Sequence, residues 1–113
     1  MSGRLLAADA RTVPLDASVP AGAEIVESEP TAGYAALAEV GEGAEVGVWE
    51  MTAGCARDVE QDEVFLVLDG HATLRFDDGE VVDLRPGALV QLRAGERTEW
   101  RVHETLRKLY VSH

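Results

Sequence analysis

Glu63 heads an otherwise apolar run, Glu63 to Leu68 (EVFLVL), and a carboxylate in such a run needs a partner or a task. One task is proton transfer: burial raises a carboxyl pKa toward neutrality, which suits a general base or a hydrogen-bond anchor. The other reading is structural, a pairing with Arg57, Lys108 or a backbone amide. Lys108 and Tyr110 share one parity near the end of the chain, and Thr98, Trp100 and Val102 share one parity shortly before. If those faces are internal, Glu63, Lys108 and Tyr110 meet as candidate catalytic groups. Thr98 and Trp100, with Trp49 from an earlier strand, then form walls that stack and orient a small flat or polar ligand. Core filling is the alternative role for the two tryptophans.

Arg57 is a further ligand-binding candidate: pointing inward, it would grip a carboxylate or phosphate in bidentate fashion; pointing outward, it is an ordinary surface group. Cys55 lies two residues before it. A nucleophilic thiol needs a neighbouring histidine or cation, and the alternative is an inert small hydrophobe. The three histidines, His71, His103 and His113, fall after a turn, on a polar register and at the terminus, so all three read as surface residues.

These groups must be placed by a short chain. Its 113 residues make one domain. It carries 21 acids against 10 Lys plus Arg, a net charge of −11, which repels phosphate backbones and anionic membranes. Nucleic acid and membrane are therefore not expected partners. The single cysteine excludes an intrachain disulfide and any CxxC metal motif. The apolar stretch Leu5 to Ala8 is too short for a signal or spanning segment, so a cytoplasmic protein is expected.

Residues 1–32 read as an extended arm, interrupted by Pro14, Pro20 and Pro30, with short strands expected near Arg4–Ala7 and Glu24–Val26 that supply edges. Residues 33–113 read as a barrel. Glu45 to Met51 and Glu63 to Leu68 are strands, and Asp69-Gly70 predicts a hairpin into the alternating Ala72 to Phe76. Asp78-Gly79, Pro86-Gly87 and Ala94-Gly95 mark further turns, with strands at Val81 to Leu84, Ala88 to Leu92, Thr98 to His103 and Leu106 to Val111. Short strands at regular spacing mean an all-β sandwich or barrel. Edge strands of such barrels pair across two-fold axes, so a homodimer is expected.

Glu63, six residues and Gly70 resemble the end of the first cupin motif, and Gly87 to Trp100 (GALVQLRAGERTEW) resembles the second, with Gly87 and Gly95 on its two glycines. The order Gly47-Val48-Trp49-Glu50, Gly54, Asp62-Glu63, Gly70, Asp78-Gly79, Pro86-Gly87, Thr98-Glu99-Trp100-Arg101-Val102 and Arg107-Lys108-Leu109-Tyr110 is similar to the cupin domain family named after (S)-ureidoglycine aminohydrolase. The resemblance implies a jelly-roll barrel. It also implies metal-binding positions, and these have diverged. The two histidine positions of the first motif fall on Arg57 and Val59, or with a one-residue shift on Ala56 and Asp58; that of the second falls on Thr98. Only Glu63 keeps a ligand type, enough at most for a weakly held divalent ion.

Three functions remain open. The first is small-molecule binding in the barrel without a tightly held metal or other cofactor. The second is a metal-independent isomerase, cyclase or lyase using Glu63 and Lys108 as acid and base. The third is a metal-dependent aminohydrolase or dioxygenase, against which the missing histidines argue.

Overall fold

A computed structural model describes residues 3–113. After a single 3-10 turn at Ala10–Thr12, the strands are β1 (Ala17–Pro20), β2 (Glu24–Glu27), β3 (Thr31–Val40), β4 (Ala44–Met51), β5 (Gly54–Val59), β6 (Glu63–Phe76), β7 (Val81–Leu84), β8 (Leu89–Leu92) and β9 (Arg97–Ser112). All pairings are antiparallel. The alternation of apolar and polar residues thus produces the all-β architecture expected.

Two long strands organise the barrel. β6 and β9 pair along most of their length, and each belongs to two sheets. The first half of β6 lies between β8 and the second half of β9, which continues into β4, β3 and β1. The second half of β6 lies between β7 and the first half of β9, which continues into β5 and β2. The two sheets face each other, and their shared strands bend at the corner. The register of β6 against β9 slips three times between Val67 and Ala72.

That corner corrects one expectation. Asp69-Gly70 is not a hairpin turn but a bulge inside continuous β6. Gly70 takes φ of +90° there, and a Cβ would collide with the Thr105 carbonyl carbon of β9, 2.7 Å away. The dipeptide signal identified a place where the chain must bend, but the partner across the bend is β9 rather than the next segment. For the same reason Thr98 to His103 and Leu106 to Val111 are one strand, β9, rather than two.

The arm also departs from expectation. Arg4–Ala7 form no strand, and Leu5 and Leu6 are exposed. The arm is anchored further on, where the buried Arg107 guanidinium donates to the carbonyls of Ala10 (3.2 Å) and Val13 (2.9 Å) while pairing with Glu50. β1 and β2 then lie at the two ends of the strand path, on β3 and β5.

Phe65, Val67, Leu74, Leu84, Leu92 and Leu106, each almost fully buried, fill the space between the sheets. Each such side chain contributes about 1.5–3 kcal/mol by leaving water. Among the described residues no helix is long and apolar enough to cross a membrane.

Candidate functional site

One end of the interior is not filled. A cavity of about 310 Å³ opens there, bordered by Glu45, Trp49, Glu60, Glu63, Lys108 and Tyr110, with Trp100 beside them. The alternation of three strands brings these groups together: Glu45, Gly47 and Trp49 share the inner parity of β4, Glu63 and Phe65 that of β6, and Trp100, Lys108 and Tyr110 that of β9.

Lys108 is the centre of this cup. Its side chain is 6% exposed, and its Nζ donates to Glu63 Oε2 at 2.5 Å. Three aromatic rings surround the ammonium, with centroids at 4.7 Å (Trp49), 4.5 Å (Phe65) and 4.9 Å (Trp100). A ring face attracts a cation most strongly where water is excluded. The carboxylate and the rings together therefore hold a positive charge inside the barrel, where alone it would be costly. Glu63 is thus a partnered carboxylate that also borders the cavity.

Tyr110 donates its hydroxyl to Glu45 Oε2 at 2.6 Å. Burial, then the Glu45 hydrogen bond, push its pKa well above the ordinary value of 10.0, so it is a fixed proton donor. Its ring fits because Gly47 is its partner across β4 and β9: a Cβ at Gly47 would lie 2.6 Å from Tyr110 Cζ and from the Ala35 carbonyl oxygen.

Glu60 is the functional candidate that the sequence reading missed. Thr98 Oγ1 (2.5 Å) and Trp100 Nε1 (2.9 Å) both donate to its Oε2. Desolvation raises its pKa above the ordinary 4.5, and the two hydrogen bonds only partly oppose this. A half-buried carboxyl on a cavity wall, its proton affinity raised by desolvation, is a candidate for giving and taking protons in the cup. The signal was present: Ala56, Asp58 and Glu60 continue the inner parity of β5 past its last paired residue. Thr98, expected in the cup, instead lies buried behind Glu60 and orients it.

Arg57 does not join these groups. It sits on the outer parity of β5, half exposed, bound to Glu99 (3.3 Å) and Glu24 (3.4 Å). It borders a separate outer groove of about 470 Å³ with Arg75, Phe76 and Arg97. The loop at Glu60–Asp62 separates β5 from Glu63, so inner and outer parity do not carry from one strand to the other. Cys55 is fully buried, and desolvation raises its thiol pKa, the opposite of what a nucleophile needs. The histidines lie outside the cup: His71 bonds Asp83 (2.8 Å), His103 bonds Thr73 (3.0 Å), and His113 bonds the Glu42 carbonyl (3.1 Å).

The cup residues do not fit the metal that the fold resemblance implies. Glu63, the one surviving ligand type, already receives the Lys108 ammonium, and a divalent ion on that carboxylate would sit against a fixed like charge. Inner positions Ala56 and Asp58 supply at most one oxygen-bearing side chain. Among the described residues no group of three or more His, Cys, Asp or Glu is placed to hold a metal.

Known structures share this architecture. The EutQ protein of Clostridium difficile superposes with a TM-score of 0.64 at 23% identity, covering 74% of this chain and 68% of that one. A Pseudomonas syringae protein of the DUF861 family, of unknown function, gives 0.77 at 20% identity over 91% of this chain and 46% of its own. A DUF861 protein of Thermotoga maritima gives 0.55 at 27% identity, covering 58% and 76%. None of the curated proteins matches the chain significantly. Residues 39–110, which hold β4 to β8, most of β9 and every residue bordering the cup except those from the arm and from the start of β3, match the sequence model of the EutQ-like cupin domain. The chain belongs to the EutQ-like cupin domain family.

Proposed function

We propose that the cup binds a small polar molecule without a tightly held metal. The observation that carries this reading is the Lys108 ammonium, fixed on Glu63 among three rings at the wall of an open cavity of about 310 Å³. A covalently attached cation occupies the carboxylate that a metal would use. The cavity has the mix of aromatic wall and few polar groups that small-molecule sites share. The ordered motifs support a relation to the ureidoglycine aminohydrolase domain as the finer family, but a fold carries no reaction with it, and the metal ligands of such a reaction are absent from these positions. The charge of −11 supports a partner other than nucleic acid or an anionic membrane, and the lone buried thiol suits a cytoplasmic setting.

Glu60 favours a second reading, a metal-independent isomerase, cyclase or lyase. Its raised proton affinity, beside the Glu63–Lys108 pair and the Tyr110 donor, supplies acid and base groups in one cavity. A metal-dependent aminohydrolase or dioxygenase is disfavoured by the ammonium on Glu63.

The test has two arms. Protein purified without an affinity tag is analysed for Mn, Fe, Ni and Zn, and is expected to contain far less than one equivalent; a stoichiometric metal overturns the metal-free reading. A thermal-shift screen of small acids, amides, amines and aromatic compounds is then run on the native chain and on Trp49→Ala. Ligands that stabilise the former and not the latter are the expected result, and no stabilisation by any compound class overturns the binding reading.

A further inference from the structure

The outer groove of about 470 Å³ carries a charge arrangement that the cup does not explain. Arg75 of β6 stands opposite Glu99 of β9, and Glu99 stands opposite Arg57 of β5. Glu99 thus lies between two arginines, and it accepts from only one, Arg57, at 3.3 Å. Glu24 holds the other side of Arg57. Arg75 is left over. Arg97 lies two residues before Glu99 on the same face of β9, so Arg75 and Arg97 are diagonal neighbours on adjacent strands. Diagonal partners start about 7–8 Å apart, within reach of long side chains. Among the described residues neither arginine makes an ion pair or a side-chain hydrogen bond. Acids are abundant, 21 against 10 Lys plus Arg, and Arg11, Arg57, Arg85, Arg101, Arg107 and Lys108 each hold one. Two guanidinium groups that hold none are therefore diagonal neighbours lining one groove.

We propose that this groove is a second binding site, for a small organic monocarboxylate. Its carboxylate bridges Arg75 and Arg97, and its apolar body rests on Val59 and Phe76, which line the same groove. The guanidinium fork matches a carboxylate in shape, sheds its water readily and forms strong charge-assisted hydrogen bonds. Val59 is 47% exposed beside these charges, an apolar surface that such a ligand would cover. The volume is that of a small-molecule site. The groove also fixes how much negative charge the ligand carries. Asp58 and Asp77 line it too, so a second anionic group would meet carboxylates. A single carboxylate on an apolar body satisfies both the arginines and the acids, whereas inorganic phosphate and a nucleic-acid backbone do not. Asp58 and Val59 border the cup as well, so the two sites adjoin. The proposal does not depend on what the cup binds.

The test is an amide-resolved NMR titration of the whole chain with benzoate and hexanoate, using benzamide and inorganic phosphate as controls. Amides of Arg75, Phe76 and Arg97 report on the groove, and those of Trp49, Lys108 and Tyr110 on the cup. Saturable shifts at the groove reporters with at least one carboxylate, and none there with benzamide, are expected. Arg75→Gln and Arg97→Gln should each weaken that carboxylate's binding about tenfold or more, the loss of a hydrogen bond to a charged group. Both positions are exposed, and unchanged spectra elsewhere verify that the variants fold. Arg93→Gln, whose guanidinium lies on Gln91 outside the groove, should bind as the unsubstituted chain does. No saturable shift with either carboxylate overturns the proposal, as do shifts confined to the cup reporters. Binding of benzamide or phosphate as tight as that of the carboxylates overturns the ligand class. Binding that survives both groove substitutions, or falls equally with Arg93→Gln, overturns the role of the two arginines.

Discussion

Lys108 and Glu63 are partners without being neighbours in register. Lys108 stands opposite Val67, and Glu63 opposite Ser112, with Phe65 between them on β6. The lysine therefore reaches diagonally along the strand pair, and its ammonium passes over the Phe65 ring to meet the carboxylate. Length and flexibility of the lysine stem make this reach possible. The geometry ties the charge pair to the packing of the core, so neither can be changed alone.

Lys108→Met should destabilise the fold by about 3–5 kcal/mol, because it leaves the Glu63 carboxylate partly buried without its cation. The double variant Lys108→Met/Glu63→Gln should recover much of that loss, since no uncompensated charge remains. Urea denaturation measures both. A double variant no more stable than the single one would show that the packing of the lysine stem, and not the charge pairing, carries the effect.

Glu60 gives stability a dependence on pH. Its folded pKa is raised by burial, so between the ordinary value of 4.5 and that raised value the native state keeps a proton that the unfolded chain has released. Stability contributed by this group is complete below 4.5 and is lost as pH rises through the folded value. The stability of the native chain relative to Glu60→Gln should therefore decline with rising pH over this window. A difference independent of pH would contradict the desolvation of Glu60.

Gly47→Ala should lower stability by about 1–3 kcal/mol, the usual cost of forcing volume into a packed site. Tyr110→Phe, which keeps the ring and removes the bond to Glu45, should cost only about 1 kcal/mol. Combining Gly47→Ala with Tyr110→Ala should cost less than the sum of the two, because the smaller side chain removes the collision. Strict additivity would mean that the Ala35 carbonyl, not the tyrosine, is the obstacle.

Cys55 should be inert. With the thiol fully buried and its pKa raised, a chromogenic disulfide reagent should react with it only after denaturant is added. Cys55→Ser should leave ligand binding in the cup unchanged. Rapid labelling of the folded chain would place the thiol at the surface.

Much of this architecture is legible in the residues themselves. The alternation in Ala72 to Phe76 and in Thr98 to Val102 orients the correct face inward, and Lys108 and Tyr110 follow from the same rule. What the pattern cannot convey is continuity across a bend. Asp69-Gly70 has the composition of a hairpin, and only the approach of the Thr105 carbonyl makes it a bulge. Parity likewise fails across a loop: the break between β5 and β6 leaves the direction of Arg57 open in the sequence and hides Glu60. The arm was hardest to read, because its anchor is a buried arginine nearly the whole chain away.

The aromatic enclosure around Lys108 has an optical consequence. The chain contains two tryptophans, and both are in that enclosure, with ring centroids 5.5 Å apart. All indole emission of the protein therefore originates beside one ammonium and two carboxyl groups. Any event that moves the ammonium, protonates Glu60 or brings a new ring alongside must change the fluorescence, so the molecule carries a built-in, label-free reporter of its own interior.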